Sequence, residues 1–84
     1  MNTSVEISYY PLKQEDYTPI EDFIKRLHNY HEITVKTNGM STQVFGDYTV
    51  VMQILTKEIE KSMKIPHSVF VMKIINAHLD IQYD

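Results

Sequence analysis

Apolar and polar side chains alternate along the first part of the chain, from residue 5 to residue 11. Val5, Ile7 and Tyr9 occupy the odd positions, and polar or aromatic side chains occupy the even ones. A period of two residues is typical of a β-strand that buries one face. The pattern therefore predicts a first strand over residues 5–11.

The apolar positions take a helical period after residue 18. Thr18, Pro19 and Glu21 have the form of a capping box: the threonine can cap, the proline suits the first helical position, and the glutamate can reach back to free N–H groups. This pattern predicts a helix start at residue 18. The apolar stripe that follows consists of Ile20, Phe23, Ile24 and Leu27.

A β-hairpin is predicted next. Residues 32–37, EITVKT, form a second strand, and the Asn-Gly pair that follows favours a two-residue type I′ turn with positive φ angles. In that register the numbers of opposed residues add up to 77. Val35 then faces Thr42, and Thr37 faces Met40, all on the core side of the sheet.

A second helix and a fourth strand complete the pattern. Gly46 ends the third strand, Asp47 or Thr49 begins the helix, and Pro66 stops it. Residues 68–75, SVFVMKII, then form an apolar strand.

A strand–helix–strand unit repeated twice accounts for these elements. The segments DYTPIEDFI (16–24) and DYTVVMQIL (47–55) begin alike and place apolar residues at matching positions. The simplest closed form of a βαββαβ chain is the ferredoxin-like α+β sandwich: a four-stranded antiparallel sheet of order 4-1-3-2 with both helices on one face. We expect one domain over residues 1–84 with its core in 4–77. The tail, 78–84, also alternates, and it is either a short extra strand or a frayed end.

This architecture leaves the second face of the sheet without helices. The side chains that alternation places there are too apolar and aromatic for a face in contact with water alone, particularly at Tyr10 and Phe45. We therefore expect a ligand or a protein to pack against it. The predicted outer-face residues are Glu6, Ser8, Tyr10, Ser41, Gln43, Phe45, Val69, Val71 and Lys73.

The composition excludes several classes of protein. The 84 residues are 43% hydrophobic and 23% charged, with a net charge of −3 and no cysteine. An acidic chain without a basic face argues against nucleic-acid binding. The N-terminus does not resemble a signal peptide, and Lys73 ends the longest apolar run, VFVM, so we expect a cytoplasmic protein that does not insert into membranes. A small chain without disulfides has a reason to form a homo-oligomer, as a dimer or a tetramer.

Catalytic and metal-binding patterns are weak. His28 and His31 form an HxxH pair, but the pattern places no third ligand beside them. No base is locatable beside Ser8 or Ser41, and no glycine-rich phosphate loop is present. We therefore expect no catalytic residue, no metal site and no cofactor, and a protein that is not an enzyme.

The segment NGMSTQVFGDYT, residues 38–49, permits two interpretations. A turn, two core side chains and a helix start explain its glycines, its methionine and Asp47. They do not explain why the outer side of a central strand carries Ser41 and Gln43. A surface of small hydroxyls and an amide beside aromatic rings can bind a planar heterocycle: the rings stack on it, and the polar groups hydrogen-bond its edge. A polar patch within a subunit interface is the competing interpretation.

Four segments together resemble a known family. VEISYYPL, YTPIEDFIKRL, GMSTQVFGDYTVVMQIL and VFVMKIINA are similar to the YkoF-like thiamine-binding proteins, over roughly residues 4–77. The resemblance implies ferredoxin-like domains that pair through sheet faces or edges, and binding of thiamine or its hydroxymethylpyrimidine moiety in uptake or salvage. Some relatives carry two domains in tandem, so a pocket between domains would require a dimer here.

The resemblance also implies a set of binding residues. Met40, Ser41, Thr42 and Gln43 would lie at or beside the pocket, together with Ser8 and Tyr10. An aminopyrimidine could stack near Tyr10 or Phe45, and Glu6 is a candidate counter-charge for the thiazolium. The alternative function is an oligomeric interaction or regulatory module whose open sheet face is a protein interface.

Overall fold

The computed structural model describes residues 1–13 and 15–81. Its sheet has the strand order β2-β3-β1-β4 with antiparallel neighbours, which is the predicted order read from the other edge. The ferredoxin-like α+β fold is thereby confirmed. The elements are β1 (Asn2–Pro11), α1 (Thr18–His28), β2 (Thr34–Thr37), β3 (Thr42–Asp47), α2 (Tyr48–Ser62) and β4 (Ser68–Ile75).

The core lies between the sheet and the two helices. The odd-numbered side chains of β1 point into it, as the alternation predicts, and they meet the apolar stripes of α1 and α2. Tyr9 stacks on Phe70 with ring centroids 4.3 Å apart, and Phe23 of α1 packs edge-on against Tyr9 at 5.9 Å. The buried core residues are Val5, Ile7, Tyr9, Phe23, Leu27, Ile33, Val44, Val51, Ile54 and Leu55.

The helix starts are placed correctly, but one of the two caps differs. Asp47 is the N-cap of α2, and its carboxylate accepts a hydrogen bond from the Val50 N–H at 3.4 Å. The predicted capping box of α1 does not form, because Thr18 is already helical and its N–H donates to Asp16 Oδ1 at 3.1 Å. Helix α2 ends at Ser62, before the proline that was expected to stop it.

The predicted hairpin register is wrong by two residues. Thr37 faces Thr42, so the numbers of opposed residues add up to 79, and residues 38–41 form a four-residue loop. Gly39 does not have a positive φ, so the turn is not type I′. The Asn38 side chain instead accepts hydrogen bonds from the N–H groups of Met40 (2.8 Å) and Ser41 (3.2 Å).

The hairpin shift removes Met40 from the core but leaves the other side chains on their predicted faces. A shift of two residues preserves the alternation of a strand, so Thr42 stays on the helix side, where it is buried. Met40 lies in the loop instead and is 87% exposed. Strand β3 also runs on through Gly46, which was expected to end it and which pairs with Thr3.

A buried carboxylate joins the two helices. Glu58 of α2 is 1% exposed and accepts hydrogen bonds from Arg26 Nε at 2.7 Å and from the Tyr30 hydroxyl at 2.5 Å. Burial raises the pKa of Glu58, but hydrogen bonds from Tyr30 and Arg26 and the nearby Lys61 outweigh it, so this pKa lies below its ordinary value. The hydrogen bond to Glu58 in turn raises the pKa of Tyr30. Arg26 of α1 therefore links the two helices through its contact with Glu58 of α2.

Candidate functional site

The outer face of the sheet carries the side chains that alternation placed there. Glu6 lies between Gln43 of β3 and Lys73 of β4, and Ser8 lies beside Val71. Since Val5 and Ile7 point into the helical layer, Glu6 and Ser8 point away from it. The expected orientation is confirmed for the outer-face residues that lie in the strands, whereas Ser41 lies in the hairpin loop.

The chain after β4 covers one end of this outer face. Ser4 Oγ donates to the carbonyl of Ala77 at 2.7 Å and accepts a hydrogen bond from the Leu79 N–H at 2.8 Å. The His78 ring lies 5.8 Å from that of Phe45, and Asp80 forms a salt bridge with Lys36 of β2. Residues 76–81 are therefore neither a strand nor a frayed end, while 82–84 lie outside the described residues.

This cover removes Phe45 as a stacking surface. Phe45 is 3% exposed, beneath the segment that carries His78 and Leu79. The expectation that a heterocycle could stack on it is therefore wrong for this conformation. The sequence pattern assigned Phe45 to the correct face, but it contained no sign that a later segment returns across that face.

A first cleft of about 430 Å³ borders the covering segment. Its charged groups are Glu6 and Lys73, whose Oε1 and Nζ atoms are 3.3 Å apart. The remaining wall is largely aliphatic. The lining residues are Ser4, Val5, Glu6, Gln43, Phe45, Lys73, Ile74, Ile75 and Leu79.

A second cleft of about 340 Å³ lies where β1 extends past the end of β3. Ile7 and Thr42 form the last pair between these strands, whereas β1 continues beside β4 as far as Pro11. The hairpin loop and the start of α1 close its sides. The lining residues are Ile7, Ser8, Tyr9, Tyr10, Tyr17, Ile20, Phe23, Ile24, Thr37, Asn38, Gly39, Met40, Ser41 and Thr42.

The backbone of Tyr9 adds polar groups to this second cleft. Backbone N–H and C=O groups point alternately to the two sides of a strand. The Tyr48 N–H donates to the Met1 carbonyl at 2.8 Å, so the odd-numbered residues of β1 direct their backbone groups towards β3. Tyr9 is the next odd residue after Ile7. Its N–H and C=O therefore point to where β3 would continue. Met40 would lie opposite Tyr9 in such a continuation, but it belongs to the hairpin loop, where its N–H donates to the Asn38 side chain.

The predicted binding residues divide between the two clefts. Five of them line the second cleft, namely Ser8, Tyr10, Met40, Ser41 and Thr42. Three line the first, namely Glu6, Gln43 and Phe45. The two groups touch at one point, because Ser41 Oγ donates to Glu6 Oε2 at 3.1 Å.

Tyr17 and Thr37 are among the residues of the second cleft that the sequence did not predict as binding residues. Tyr17 is 75% exposed and stands directly before α1, so an aromatic residue in front of the Thr-Pro pair was an available signal. Thr37 pairs its hydroxyl with that of Thr42 at 3.1 Å. The hairpin register error concealed this contact.

Neither a membrane span nor a metal cluster is found in the part of the chain that the structure describes. None of its helices is long and apolar enough to cross a membrane. Within residues 1–13 and 15–81, no three His, Asp or Glu side chains are grouped to hold a metal ion. His28 and His31 accordingly acquire no third ligand there.

Comparison with known proteins gives similarity at the level of structure. No family model and no curated protein matches the chain. Protein SP2199 of Streptococcus pneumoniae superposes with a TM-score of 0.85 at 21% identity, covering 94% of this chain and 90% of that one. Protein TM0486 of Thermotoga maritima, assigned provisionally to thiamine biosynthesis or salvage, gives 0.81 at 14% identity, covering 92% and 85%.

A third solved structure has the same fold. A domain of unknown function, DUF77, from Bacillus cereus superposes with a TM-score of 0.76 at 12% identity, covering 94% of this chain and 79% of that one. At these identities the likeness establishes the ferredoxin-like arrangement and nothing finer.

Proposed function

We propose that this protein binds thiamine or its hydroxymethylpyrimidine moiety non-covalently, in uptake or salvage, as a relative of the YkoF-like proteins. The observation that carries the proposal is the second cleft, where β1 extends past β3. There, backbone groups of Tyr9, hydroxyls of Ser8 and Ser41 and the half-exposed Tyr10 ring converge. The provisional assignment of TM0486 to thiamine metabolism points in the same direction.

The second cleft matches the chemistry of an aminopyrimidine. Such a ring is flat and carries an amine donor beside ring-nitrogen acceptors. The Tyr9 N–H and C=O offer a donor and an acceptor in the plane of the sheet, and Ser8 and Ser41 add hydroxyls that can do either. Tyr10 is 52% exposed, so its ring is free to stack on a planar ligand.

The charges near the cleft favour a cation. Glu6 is held by Ser41 on one carboxylate oxygen and by Lys73 on the other, so it stands at the boundary between the two clefts. A thiazolium ring attached to a pyrimidine in the second cleft could reach this carboxylate. The exposed Tyr17 ring offers a second surface for a cation, worth about 0.5–1 kcal/mol at an exposed site.

The proposed role is binding without catalysis. The polar groups of the second cleft are hydroxyls, a side-chain amide and backbone amides, with one carboxylate at its border. These groups suit recognition of a neutral or cationic heterocycle. No step of bond making is assigned to them.

Calorimetric titration with thiamine and with hydroxymethylpyrimidine tests the proposal. A ligand at 100 times its Kd should raise the free energy of unfolding by about 2.7 kcal/mol. Tyr10→Ala and Ser41→Ala should each weaken binding, while Thr56→Ala, on the exposed side of α2, should leave it unchanged. Absence of heat and of any thermal shift with both compounds would refute the proposal.

A further variant distinguishes the two clefts. Gln43 lines the first cleft and not the second, so Gln43→Leu should change affinity little if the pyrimidine occupies the second. Loss of binding in Gln43→Leu with retention in Tyr10→Ala would place the ligand in the first cleft instead.

A protein-interaction function is the second candidate. It is favoured by the aliphatic side chains that β4 carries on the outer face of the sheet, of which Val71 is 55% exposed and Val69 40%. Under this alternative, substitutions of the exposed residues of β4 would abolish the function of the protein in the cell. The unsubstituted protein would not bind thiamine.

A further inference from the structure

The hairpin loop, residues 38–41, contains the only Asn-Gly pair in the sequence. Asparagine is a thermolabile residue, because the backbone nitrogen of the next residue can attack its side-chain amide. A Cβ atom on that next residue hinders the attack, and glycine has none. The other three asparagines precede Thr3, Tyr30 and Ala77. Asn38 therefore has the least hindered neighbour of the four.

The structure leaves this pair open to reaction. Asn38 and Gly39 are both exposed, so water reaches them. Beyond the two chain neighbours of Gly39, no atom of residues 1–13 and 15–81 lies within 4 Å of the position that a Cβ would take there. The surrounding side chains therefore do not oppose the local rearrangement that ring closure requires.

The loop also supplies hydrogen-bond donors where the reaction develops negative charge. Attack of the Gly39 nitrogen on Asn38 Cγ moves an electron pair of the side-chain carbonyl onto Oδ1. That oxygen already accepts hydrogen bonds from the N–H groups of Met40 at 2.8 Å and Ser41 at 3.2 Å. Backbone N–H groups aimed at a developing oxyanion stabilise the transition state of acyl transfer. The two N–H groups therefore lower the barrier to attack at Asn38.

We propose that Asn38 is a site of spontaneous deamidation and that the reaction adds a carboxylate to the border of the second cleft. The Gly39 nitrogen loses its proton to solvent and bonds to Asn38 Cγ, the Cγ–Nδ2 bond breaks, and ammonia leaves. Water then opens the resulting five-membered succinimide at one of its two carbonyl carbons. Opening at one carbon gives an aspartate at position 38, and opening at the other gives an isoaspartate. The net change consumes one water and exchanges an amide for a carboxylate.

The two products have different effects on the loop. An aspartate leaves the main chain unchanged, and its carboxylate still accepts from the N–H groups of Met40 and Ser41, now in charge-assisted hydrogen bonds. An isoaspartate carries the main chain through Cγ and lengthens it by one atom. The Ser41 hydroxyl then shifts relative to Glu6, to which it donates at 3.1 Å. The aspartate product therefore preserves the cleft, and the isoaspartate product disturbs it.

The new charge lies beside the proposed ligand. Asn38 lines the second cleft, and a carboxylate there attracts a cation on the scale of one exposed ion pair. This consequence rests on the proposed binding of thiamine, whereas the deamidation itself does not. The aspartate form should bind cationic thiamine about five-fold more tightly and neutral hydroxymethylpyrimidine about equally.

Incubation of the whole protein in mildly alkaline buffer, followed by peptide mass spectrometry, tests the site. We expect the peptide that holds Asn38 to gain the mass of an amide-to-acid exchange, as aspartate and isoaspartate, before any of the other three asparagines reacts. Gly39→Ala should slow the reaction about ten-fold, since the added methyl group hinders ring closure without a clash in the folded loop. Earlier reaction of another asparagine, or an equal rate in Gly39→Ala, would overturn the proposal.

The same incubation in guanidinium chloride tests the role of the loop. The unfolded chain keeps the Asn-Gly pair but loses the two N–H donors that hold Asn38 Oδ1. The folded protein should therefore react at least as fast as the unfolded chain. Faster reaction in the denaturant would show that the folded loop protects Asn38, and this too would overturn the proposal.

Asn38→Asp supplies the charged product in pure form for titration calorimetry. It should bind thiamine about five-fold more tightly than the unsubstituted protein does, with binding of hydroxymethylpyrimidine unchanged. Gln53→Glu, the same amide-to-carboxylate change on the exposed side of α2, is the control and should change neither affinity. Equal thiamine affinity in Asn38→Asp and the unsubstituted protein would overturn the effect on the cleft. Absence of thiamine binding to both would refute the proposed function and leave the deamidation site standing.

Discussion

Ser41 donates a hydrogen bond of 3.1 Å to Glu6, and this contact joins the hairpin loop to the central strand of the sheet. It also marks the boundary between the two clefts, since Ser41 lines one of them and Glu6 the other. A ligand that spans the boundary would meet a hydroxyl on one side and a carboxylate on the other.

Glu6→Gln should separate the two candidate ligands. Loss of the carboxylate charge should weaken binding of cationic thiamine about five-fold, the scale of one exposed ion pair, and should change binding of neutral hydroxymethylpyrimidine little. Titration calorimetry with both compounds measures the difference. Glu60→Gln, an equal charge change on the exposed side of α2, is the control. An equal effect on both ligands would show that Glu6 acts through the shape of the site and not through its charge.

The two glycines should respond in opposite ways to alanine. Gly39 has no atom within 4 Å of an added Cβ and no positive φ, so Gly39→Ala should be neutral or stabilising by up to about 1 kcal/mol. At Gly46 an added Cβ would lie 3.2 Å from Val51 Cγ2 and 3.4 Å from the Glu32 carbonyl oxygen, so Gly46→Ala should destabilise by about 1–3 kcal/mol. Urea denaturation measures both. Marked destabilisation by Gly39→Ala would instead support the type I′ turn.

Glu58 should give stability a dependence on acid pH. Its pKa in the folded protein lies below the ordinary value of 4.5, so its contribution is fully present above about pH 4.5 and is lost as the pH falls through the folded pKa. Glu58→Ala should lower the free energy of unfolding by about 3 kcal/mol at pH 7, because Arg26 loses its buried partner. It should also make the fall of that free energy at acid pH less steep. Denaturation at several pH values, with Glu60→Gln as control, tests this. If stability fell with acid pH as steeply in Glu58→Ala as in the unsubstituted protein, Glu58 would not be the source of this pH dependence.

Ser4→Ala should release the segment that covers Phe45. Ser4 is 6% exposed and makes one hydrogen bond to Ala77 and one with Leu79, so the loss of both should cost about 1–2 kcal/mol. Hydrogen exchange at the Leu79 amide should accelerate, and limited proteolysis should cut near residue 78. Ser8→Ala, on the same face of the same strand, should do neither. Unchanged exchange in Ser4→Ala would mean that other contacts hold the segment.

The sequence predicted the faces of the strands better than their register. The alternation of Val5, Glu6 and Ile7 is a local property, so it survives a hairpin shift of two residues. The turn is different, because an Asn-Gly pair is compatible with more than one loop. Here the Asn38 side chain binds two amides of its own loop, and Met40 is exposed as a result.

By itself the sequence determined the order of the elements, the side of the sheet to which each side chain points and the positions where both helices begin, because these depend on neighbours a few residues apart. Tertiary structure alone decided that Phe45 is covered, that the expected binding residues occupy two clefts, and that Arg26 binds Glu58. Each of these depends on residues far apart in the chain, such as Ser4 and Ala77, 73 positions apart. Periodicity carries no information about such contacts, because the chain must first fold to bring them together.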